Sequence, residues 1–516
     1  MSNMPSWLGN AVFYEIYPQS FYDTNGDGIG DLNGITAKLD YVKALGFNAL
    51  WLNPCFVSPF KDAGYDVADY YKIAPRYGTN EDLYRLVSEA HARKMHVILD
   101  LVPGHTSDKC KWFRQSCKPK RNAYSDRYVW TNCVWDRPSS YSWVAGGADR
   151  DGCYMLNFFN CQPALNYGFN KITEPSWQMS YTDERVQGTL NEMMNVMRYW
   201  LDRGIDGFRV DMADSLVKND EDKTATASLW RKVRDMLNKE YPEAAIVSEW
   251  CNAPRSINMA GFHCDFVLNH WQKLSYYGFR NIQDGVNKSY FCKTSHVSAK
   301  DMLEIYLDEL YQTEGNGYIS VISGNHDTER ISYYLDESEL RLAYTFILTL
   351  PGVPFFYYGD EIAMRYLPQP SKEGGFHRTG TRTPMQWDKT QVNLGFSTAE
   401  KGKLYLDVDR SQDAPCAKQQ MEDPTSLWNL VSKLNEIRQA NVDLQSDAHL
   451  RLLRCSVDGV LCYQRGDSIG VAFNPTDQER TLTLAIGDKL LEIGKATPDG
   501  KNTVLAPQTA VIFKLN

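Results

Sequence analysis

The sequence predicts an α/β protein: a (β/α)8 TIM barrel, a subdomain inserted after its third strand, and an antiparallel β domain at the C-terminus. Three observations predict it. Short, continuously apolar runs alternate with helix-patterned stretches, and strands apolar along their whole length belong to parallel sheets covered on both faces. Between residues 104 and 170 the alternation stops, and Trp, Tyr, Asn, Gly and Cys fill a span too long for an ordinary loop. From about Ser446 onward, short strands are separated by turn signals at Asp458-Gly459, Asn474-Pro475 and Pro498-Asp499-Gly500. The expected boundaries are therefore 1–103 and 171–445 for the barrel, 104–170 for the insert and 446–516 for the β domain.

Taken in order, residues 12–17 form the first strand, aromatic and β-branched in character. Ile35, Leu39, Val42 and Leu45 space out a helix that stops at Gly46, and Ala49–Leu52 is the second strand. A helix over roughly 80–94 precedes the third strand, 97–102, which is apolar apart from Asp100, and His105 follows closely. Beyond the insert, Val186, Leu190, Met193, Met194, Met197 and Leu201 recur three and four apart on one helix face, which Gly204 closes. Gly207–Val210 is the fourth strand. Arg209 and Asp211 are separated by one residue, so they point to the same side. An ion pair leaving a buried strand is costly unless something uses it.

The fifth strand is Ala245–Ser248, followed by Glu249; the sixth lies near 265–268. The seventh, 319–322, leads into Asn325-His326-Asp327, and the eighth is 354–358. A long excursion over about 362–424 carries Arg378, Arg382 and Trp387, and a helix at 426–440 closes the barrel.

Composition narrows the function classes. The net charge of −9 argues against nucleic acid or an anionic membrane as partner. Aromatic content of 13% suits a cleft that stacks against sugar faces. The longest apolar stretch, 343–359, is broken by Pro351, Gly352 and Pro354 and reads as helix, turn and strand, not as a membrane span. Residues 1–10 lack a cationic segment followed by an apolar one, so a cytoplasmic enzyme is expected. The twelve cysteines have no Cys-x-x-Cys spacing and read as reduced thiols, not as a disulfide framework or zinc site.

The loop Asp23-Thr24-Asn25-Gly26-Asp27-Gly28-Ile29-Gly30-Asp31 carries oxygen-bearing side chains at positions one, three, five and nine and Gly at six. That is the first part of an EF-hand-like loop, with Ile29 lending its backbone carbonyl at position seven. Gly34 stands where the bidentate Glu would be. Asp23, Asn25, Asp27, Ile29 and Asp31 are thus candidate ligands for one divalent ion, Ca2+ before Mg2+; the alternative is a Gly-rich Asx-turn loop without metal.

In a barrel the loops after the strands gather at one face. Asp100, His105, Arg209, Asp211, Glu249, His326 and Asp327 all lie at or just past strand ends, so they should meet there. Carboxylates with His and Arg donors suit glycoside cleavage, in which one carboxylate attacks the anomeric carbon and one acid protonates the leaving oxygen. Arg209 beside Asp211 is expected to hold that nucleophile ionised.

With the motifs Asp100-Leu-Val-Pro-Gly-His105, Gly207-Phe-Arg-Val-Asp211, Ser248-Glu249-Trp250 and Gly324-Asn-His-Asp327 in this order, nearly the whole chain resembles the α-amylase family of glycoside hydrolases. The resemblance implies Asp211 as nucleophile, Glu249 as general acid/base and Asp327 as transition-state stabiliser. It implies sugar contacts from Asp100, His105, Arg209 and His326, with Tyr65 stacking beneath the sugar, and a Ca2+ loop at Asp23–Asp31. Gln162-Pro163-Ala164-Leu165-Asn166 and Arg382-Thr383-Pro384-Met385-Gln386-Trp387-Asp388 are similar to segments of the oligo-1,6-glucosidase, α-glucosidase and trehalose synthase branch.

The chain departs from the family at Gly104, usually an Asn that supports a metal in endo-amylases, at Met212, usually smaller, and at Ala164, an acid in oligo-1,6-glucosidases. Arg382 is expected to fold over the active-site face and pair with Asp66, walling off the non-reducing end. The expected activity is retaining hydrolysis of short α-glucosides. The alternatives are an endo-acting α-amylase, a transferase or isomerase such as trehalose synthase, and a non-catalytic scaffold, which would have lost the acids kept here. The expected partner is an α-glucoside, and the expected assembly a monomer or weak homodimer.

Overall fold

The computed structural model describes residues 4–267, 282–283, 286–287, 289–294, 297–400, 402–456 and 459–515. Eight strands form the central sheet: β1 (Phe13–Ile16), β2 (Ala49–Leu52), β3 (His96–Leu101), β4 (Gly207–Val210), β5 (Ala245–Ser248), β6 (Cys264–Val267), β7 (Tyr318–Val321) and β8 (Phe355–Tyr357). They run parallel in the order β7-β6-β5-β4-β3-β2-β1-β8. A bridge between Ile322 and Phe355 joins the two outer strands and closes the barrel, so neither edge is left open.

Each strand agrees with its sequence-predicted position to within about one residue. Leu268, expected at the end of the sixth, and Asp458, expected in a turn, lie outside the described residues. The helix expected over 35–45 is two helices, Leu32–Ala37 and Leu39–Ala44; Thr36 Oγ1 donates back to the Leu32 carbonyl, a bond that bends helices. Among the described residues no helix is long and apolar enough to cross a membrane.

Period-two alternation builds the site. Phe13, Trp51, Ile98, Ala245, Val247, Phe266 and Phe355 fill the barrel interior, with the Phe13 and Phe355 rings stacked at 4.3 Å. Two residues further along the same inward phase come Glu15 after Phe13, Asn53 after Trp51, Asp100 after Ile98 and Glu249 after Val247. An apolar plug is thereby topped by a polar layer. Gly207 is required where β4 meets β5: its φ is +152°, and a Cβ there would come within 2.0 Å of the Ala245 carbonyl oxygen.

The insert holds the helix Lys111–Ser116 and an antiparallel ribbon of Trp143–Ala145 and Cys153–Met155. It returns beside the β3 loop through a bridge between His105 and Ala164. At the C-terminus, five antiparallel strands (Leu450–Cys455, Leu461–Arg465, Ile469–Asn474, Thr509–Lys514, Lys489–Ile493) form one sheet and three more a second. Buried Arg465 donates to the Thr349 carbonyl, and Thr349 Oγ1 meets Tyr463 OH at 2.6 Å, fastening this domain to the barrel.

Candidate active site

Register puts Asp100 beside Arg209, and the ladder continues one residue past each strand: Asp211 N–H donates to the Leu101 carbonyl and Glu249 N–H to that of Val210. Asp211 and Glu249 are therefore held by sheet hydrogen bonds. One guanidinium organises them. Arg209 Nη1 lies 2.9 Å from both Asp100 Oδ1 and Asp211 Oδ1, and Nη2 lies 2.7 Å from Glu249 Oε2.

Arg209 thus meets Asp211, and Asp100 and Glu249 as well. Burial pushes the Asp211 carboxyl well up, Glu249 and Asp100 add to the rise, and Arg209 only opposes it.

Asp100 is otherwise fully used: its Oδ2 accepts from Tyr65 OH at 2.9 Å and from Trp51 Nε1 at 3.1 Å. Tyr65 stacks on His326 with centroids 5.1 Å apart, and Tyr65 OH is 2.7 Å from His326 Nε2. Because the Tyr65 hydrogen goes to Asp100, His326 Nε2–H must be the donor; Nδ1 points at Glu15 Oε1, 2.8 Å away. Both ring nitrogens face carboxylates, Nδ1 that of Glu15 and Nε2 that of Asp327, an arrangement that favours the imidazolium.

Burial pulls the His326 pKa down, but Asp327 and Glu15 outweigh it and raise it to about 9. Its stabilising contribution is thus fully present below the ordinary 6.5 and is lost as pH rises through about 9. In Glu15→Gln, which keeps the shape and removes the charge, the His326 ring signals should titrate at lower pH by NMR, and the alkaline loss of stability should begin earlier. A wild-type His326 titrating near 6.5 would contradict this arrangement.

Asp327 accepts from Arg378 Nη1 and Arg382 Nη2, both at 2.8 Å, while His326 Nε2 lies 3.3 Å from its second oxygen. Burial raises its pKa, but His326, Arg378 and Arg382 together hold it well below the usual carboxylate range. Arg382 is thus fixed to Asp327 and, through Nε, to the His326 carbonyl at 2.9 Å. It does not pair with Asp66. The Asp66 oxygens accept from Ser58 Oγ and from the N–H groups of Lys61 and Asp62, which is local turn chemistry.

Arg378 takes the bridging role: its Nη2 reaches Asp62 Oδ1 at 3.4 Å, and Asp62 Oδ2 accepts from Gln162 Nε2 of the insert at 2.7 Å. His105 turns both ring nitrogens to protein, Nε2 to the Tyr65 carbonyl and Nδ1 to Asn157 Nδ2, and burial lowers its pKa to about 4. Sequence reasoning missed Glu15, Asp62 and Asn157. For Glu15 the signal was available, an acid in phase with the inward Phe13.

In the loop 23–31, Asp23 Oδ1 accepts from the N–H groups of Asn25 and Gly26, and Oδ2 from Gly28 N–H and Ser397 Oγ. Asn25 Oδ1 accepts from Asp27 N–H and Asp27 Oδ1 from Ile29 N–H. Asp31 caps the helix Leu32–Ala37 by accepting from Gly34 N–H, and also holds Thr24. Among the described residues no group of three or more His, Cys, Asp or Glu is gathered for a metal.

Comparisons with known proteins agree with this geometry. The alpha amylase catalytic domain model matches residues 15–447. The glucan 1,6-alpha-glucosidase of Streptococcus pneumoniae serotype 4 is 33% identical over 99% of both chains. The trehalose synthase/amylase TreS of Mycolicibacterium smegmatis is 31% identical, over 89% of this chain and 80% of that one. A crystal structure of a trehalulose synthase from Pseudomonas mesoacidophila MX-45 superposes with a TM-score of 0.80 at 26% identity, covering 99% of each chain. A closed barrel whose strand ends present Asp100, Asp211 and Glu249 around Arg209, matched by the family model over most of its length, makes this chain a member of the alpha-amylase family of glycosidases.

Proposed function

We propose that this enzyme is a retaining α-glucosidase that removes single glucose units from short α-glucosides. Asp211 Oδ attacks the anomeric carbon as Glu249 gives its proton to the leaving oxygen, so the glycosidic C–O bond breaks while a glycosyl ester forms. Glu249 then takes a proton from water, whose oxygen displaces Asp211 and restores the starting configuration. Glu249 and Asp211 share the two ends of one guanidinium, which supports the close carboxylate spacing of about 5–5.5 Å that retention needs.

The observation that carries the reading is the Asp327–Arg378–Asp62–Gln162 chain, which ties the β7 end, the excursion, the β2 loop and the insert together at one side of the site. Such a tie favours a closed pocket over an open cleft. The name of the 33%-identical relative, a glucan 1,6-alpha-glucosidase, supports the same class. The trehalose synthase and trehalulose synthase relatives favour a second reading, in which a sugar and not water intercepts the intermediate. Chromatography of products from maltose, isomaltose, sucrose, trehalose and soluble starch separates the two: free glucose marks hydrolysis, and a rearranged disaccharide marks transfer. The twelve free thiols suit a reducing compartment, in keeping with a cytoplasmic enzyme.

The loop 23–31 offers hard oxygen donors that suit Ca2+ before Mg2+. Asp27, Asn25 and the Ile29 carbonyl retain acceptor capacity, whereas Asp23 and Asp31 are already occupied by N–H and O–H groups. The loop is fastened to the excursion through Ser397 and through Tyr405 N–H to the Gly28 carbonyl, so an ion there would act on stability and not on chemistry. EDTA should lower the melting temperature, and Ca2+ should restore it by mass action. An unchanged melting curve with no metal by elemental analysis would leave a plain Asx-turn loop.

A further inference from the structure

Lys218 is buried, lies seven residues beyond Asp211 in the loop after β4, and takes no part in the chemistry above. Its Nζ donates to Asn157 Oδ1 at 3.1 Å and to the Ser215 carbonyl. Asn157 belongs to the insert, and its Nδ2 lies 3.1 Å from His105 Nδ1. His105 Nε2 lies 3.0 Å from the Tyr65 carbonyl, and Tyr65 OH reaches both Asp100 and His326.

Every bond in this chain has only one possible direction. An ammonium can only donate and a carbonyl can only accept, so Asn157 must turn its oxygen to Lys218 and its amide N–H to the ring. His105 must then carry its proton on Nε2 and leave Nδ1 bare. Gly104 leaves the room for this: a Cβ there would lie 2.8 Å from Asn157 Nδ2 and 3.0 Å from Ser215 Oγ. Where the family usually has Asn at 104, the Asn157 amide arrives from the insert instead. It also lies 3.9 Å from the sulfur of Met212, the residue after the nucleophile, whose backbone sits in the left-handed region at φ +43°.

We propose that Lys218 is a positioning residue: through Asn157 it fixes the His105 ring, and through His105 it sets the Tyr65 platform on which the sugar rests. The proposal rests on the reading of Tyr65 as that platform. It couples the insert to the reacting centre through one cation.

The cation is also sensitive to pH. Burial, helped by Lys223, lowers the Lys218 pKa to about 8, and Asp214 opposes the shift. Lys223 and Asp214 lie on its own loop; the β3 loop presents His105, neutral at this pH, and the insert presents uncharged Asn157. Raising the pH through about 8 therefore discharges the first link of the relay.

The test compares wild type, Lys218→Met, Lys218→Arg and Asn157→Asp on whichever α-glucoside the wild type turns over. Lys218→Met should lower kcat/KM by on the order of ten- to a hundredfold, the scale of a small misplacement of substrate. Lys218→Arg stays charged, so the ratio of its kcat/KM to that of wild type should rise severalfold as pH increases across about 8; this ratio cancels the titration of the catalytic acid.

Nitrogen NMR of the resting enzyme should report His105 as the Nε2–H form in wild type. In Asn157→Asp it should become doubly protonated, because a carboxylate would then face Nδ1. Wild-type kcat and KM in Lys218→Met, or a flat Lys218→Arg ratio across the pH range, would overturn the proposal. If Lys218→Met fails to fold, the Lys218→Arg ratio and the His105 signal still decide. The NMR readout needs no substrate, so failure of the α-glucosidase reading and failure of the relay remain distinguishable.

Discussion

Asp211→Asn is expected to abolish turnover, by about four orders of magnitude or more, while leaving the fold at least as stable as wild type. The loss has the size seen when a group that acts in concert with an acid and a stabiliser is removed. The stability follows from the surroundings of Asp211. Its carboxyl is buried beside Asp100 and Glu249, and the three share Arg209, so its pKa lies well above the usual value. A raised carboxyl pKa means that the ionised form is disfavoured in the folded state, so at neutral pH replacing it with a neutral near-isostere removes like-charge crowding. Arg209 keeps Asp100 and Glu249, and is not stranded. A melting curve and a turnover assay on the same preparation check both halves. If Asp211→Asn kept even about a tenth of wild-type turnover, another group would be the nucleophile.

The parts of this site that are legible in the sequence are those that strand phase controls. β2, β4 and β5 are found at their expected residues because continuous apolar runs end abruptly in polar residues, and the barrel rule then gathers those ends. Asp100, Arg209, Asp211 and Glu249 come together for that reason. Glu15 obeys the same rule and was lost because a single acid within FYEI does not disturb an apolar strand pattern.

The residues that phase does not govern were harder to read. Asp62, Asn157 and Lys218 sit on loops, where no period links a side chain to its partner, and each partner lies far away in sequence. Asp66 was assigned the wrong partner because its carboxylate is consumed by N–H groups four and five residues earlier, which a search for distant ion pairs overlooks. Arg382 was placed on the correct face but one acid away from its actual partner, Asp327.

The wall of the pocket gives the remaining large effect. The enzyme should act on di- and trisaccharides with far higher kcat/KM than on starch, and glucose should be its first product. Arg378 is the reason. Its guanidinium joins Asp327 on the β7 side to Asp62 in the β2 loop, and Asp62 is held in turn by Gln162 of the insert. Nearby, Phe376 of the excursion faces Phe159 of the insert at 6.3 Å, so apolar contact reinforces the closure.

On the proposed reading a polymer would not thread through a site closed on that side, and only a chain end would enter. Arg378→Ala should leave Asp327 with Arg382 and His326 but strand buried Asp62 with Gln162 alone. Asp62 is already pushed towards its neutral form by burial, and Arg378 is the strongest group opposing that. Without it the carboxyl is pushed further towards its neutral form, and the wall should loosen. The expected result is a loss of about two orders of magnitude in kcat/KM on disaccharides, as when a polar site loses a partner it was built around, with a much smaller loss on longer chains. If wild-type enzyme instead collapses starch viscosity early and releases maltose and longer products, the cleft is open past Arg378 and the enzyme is an endo-acting α-amylase.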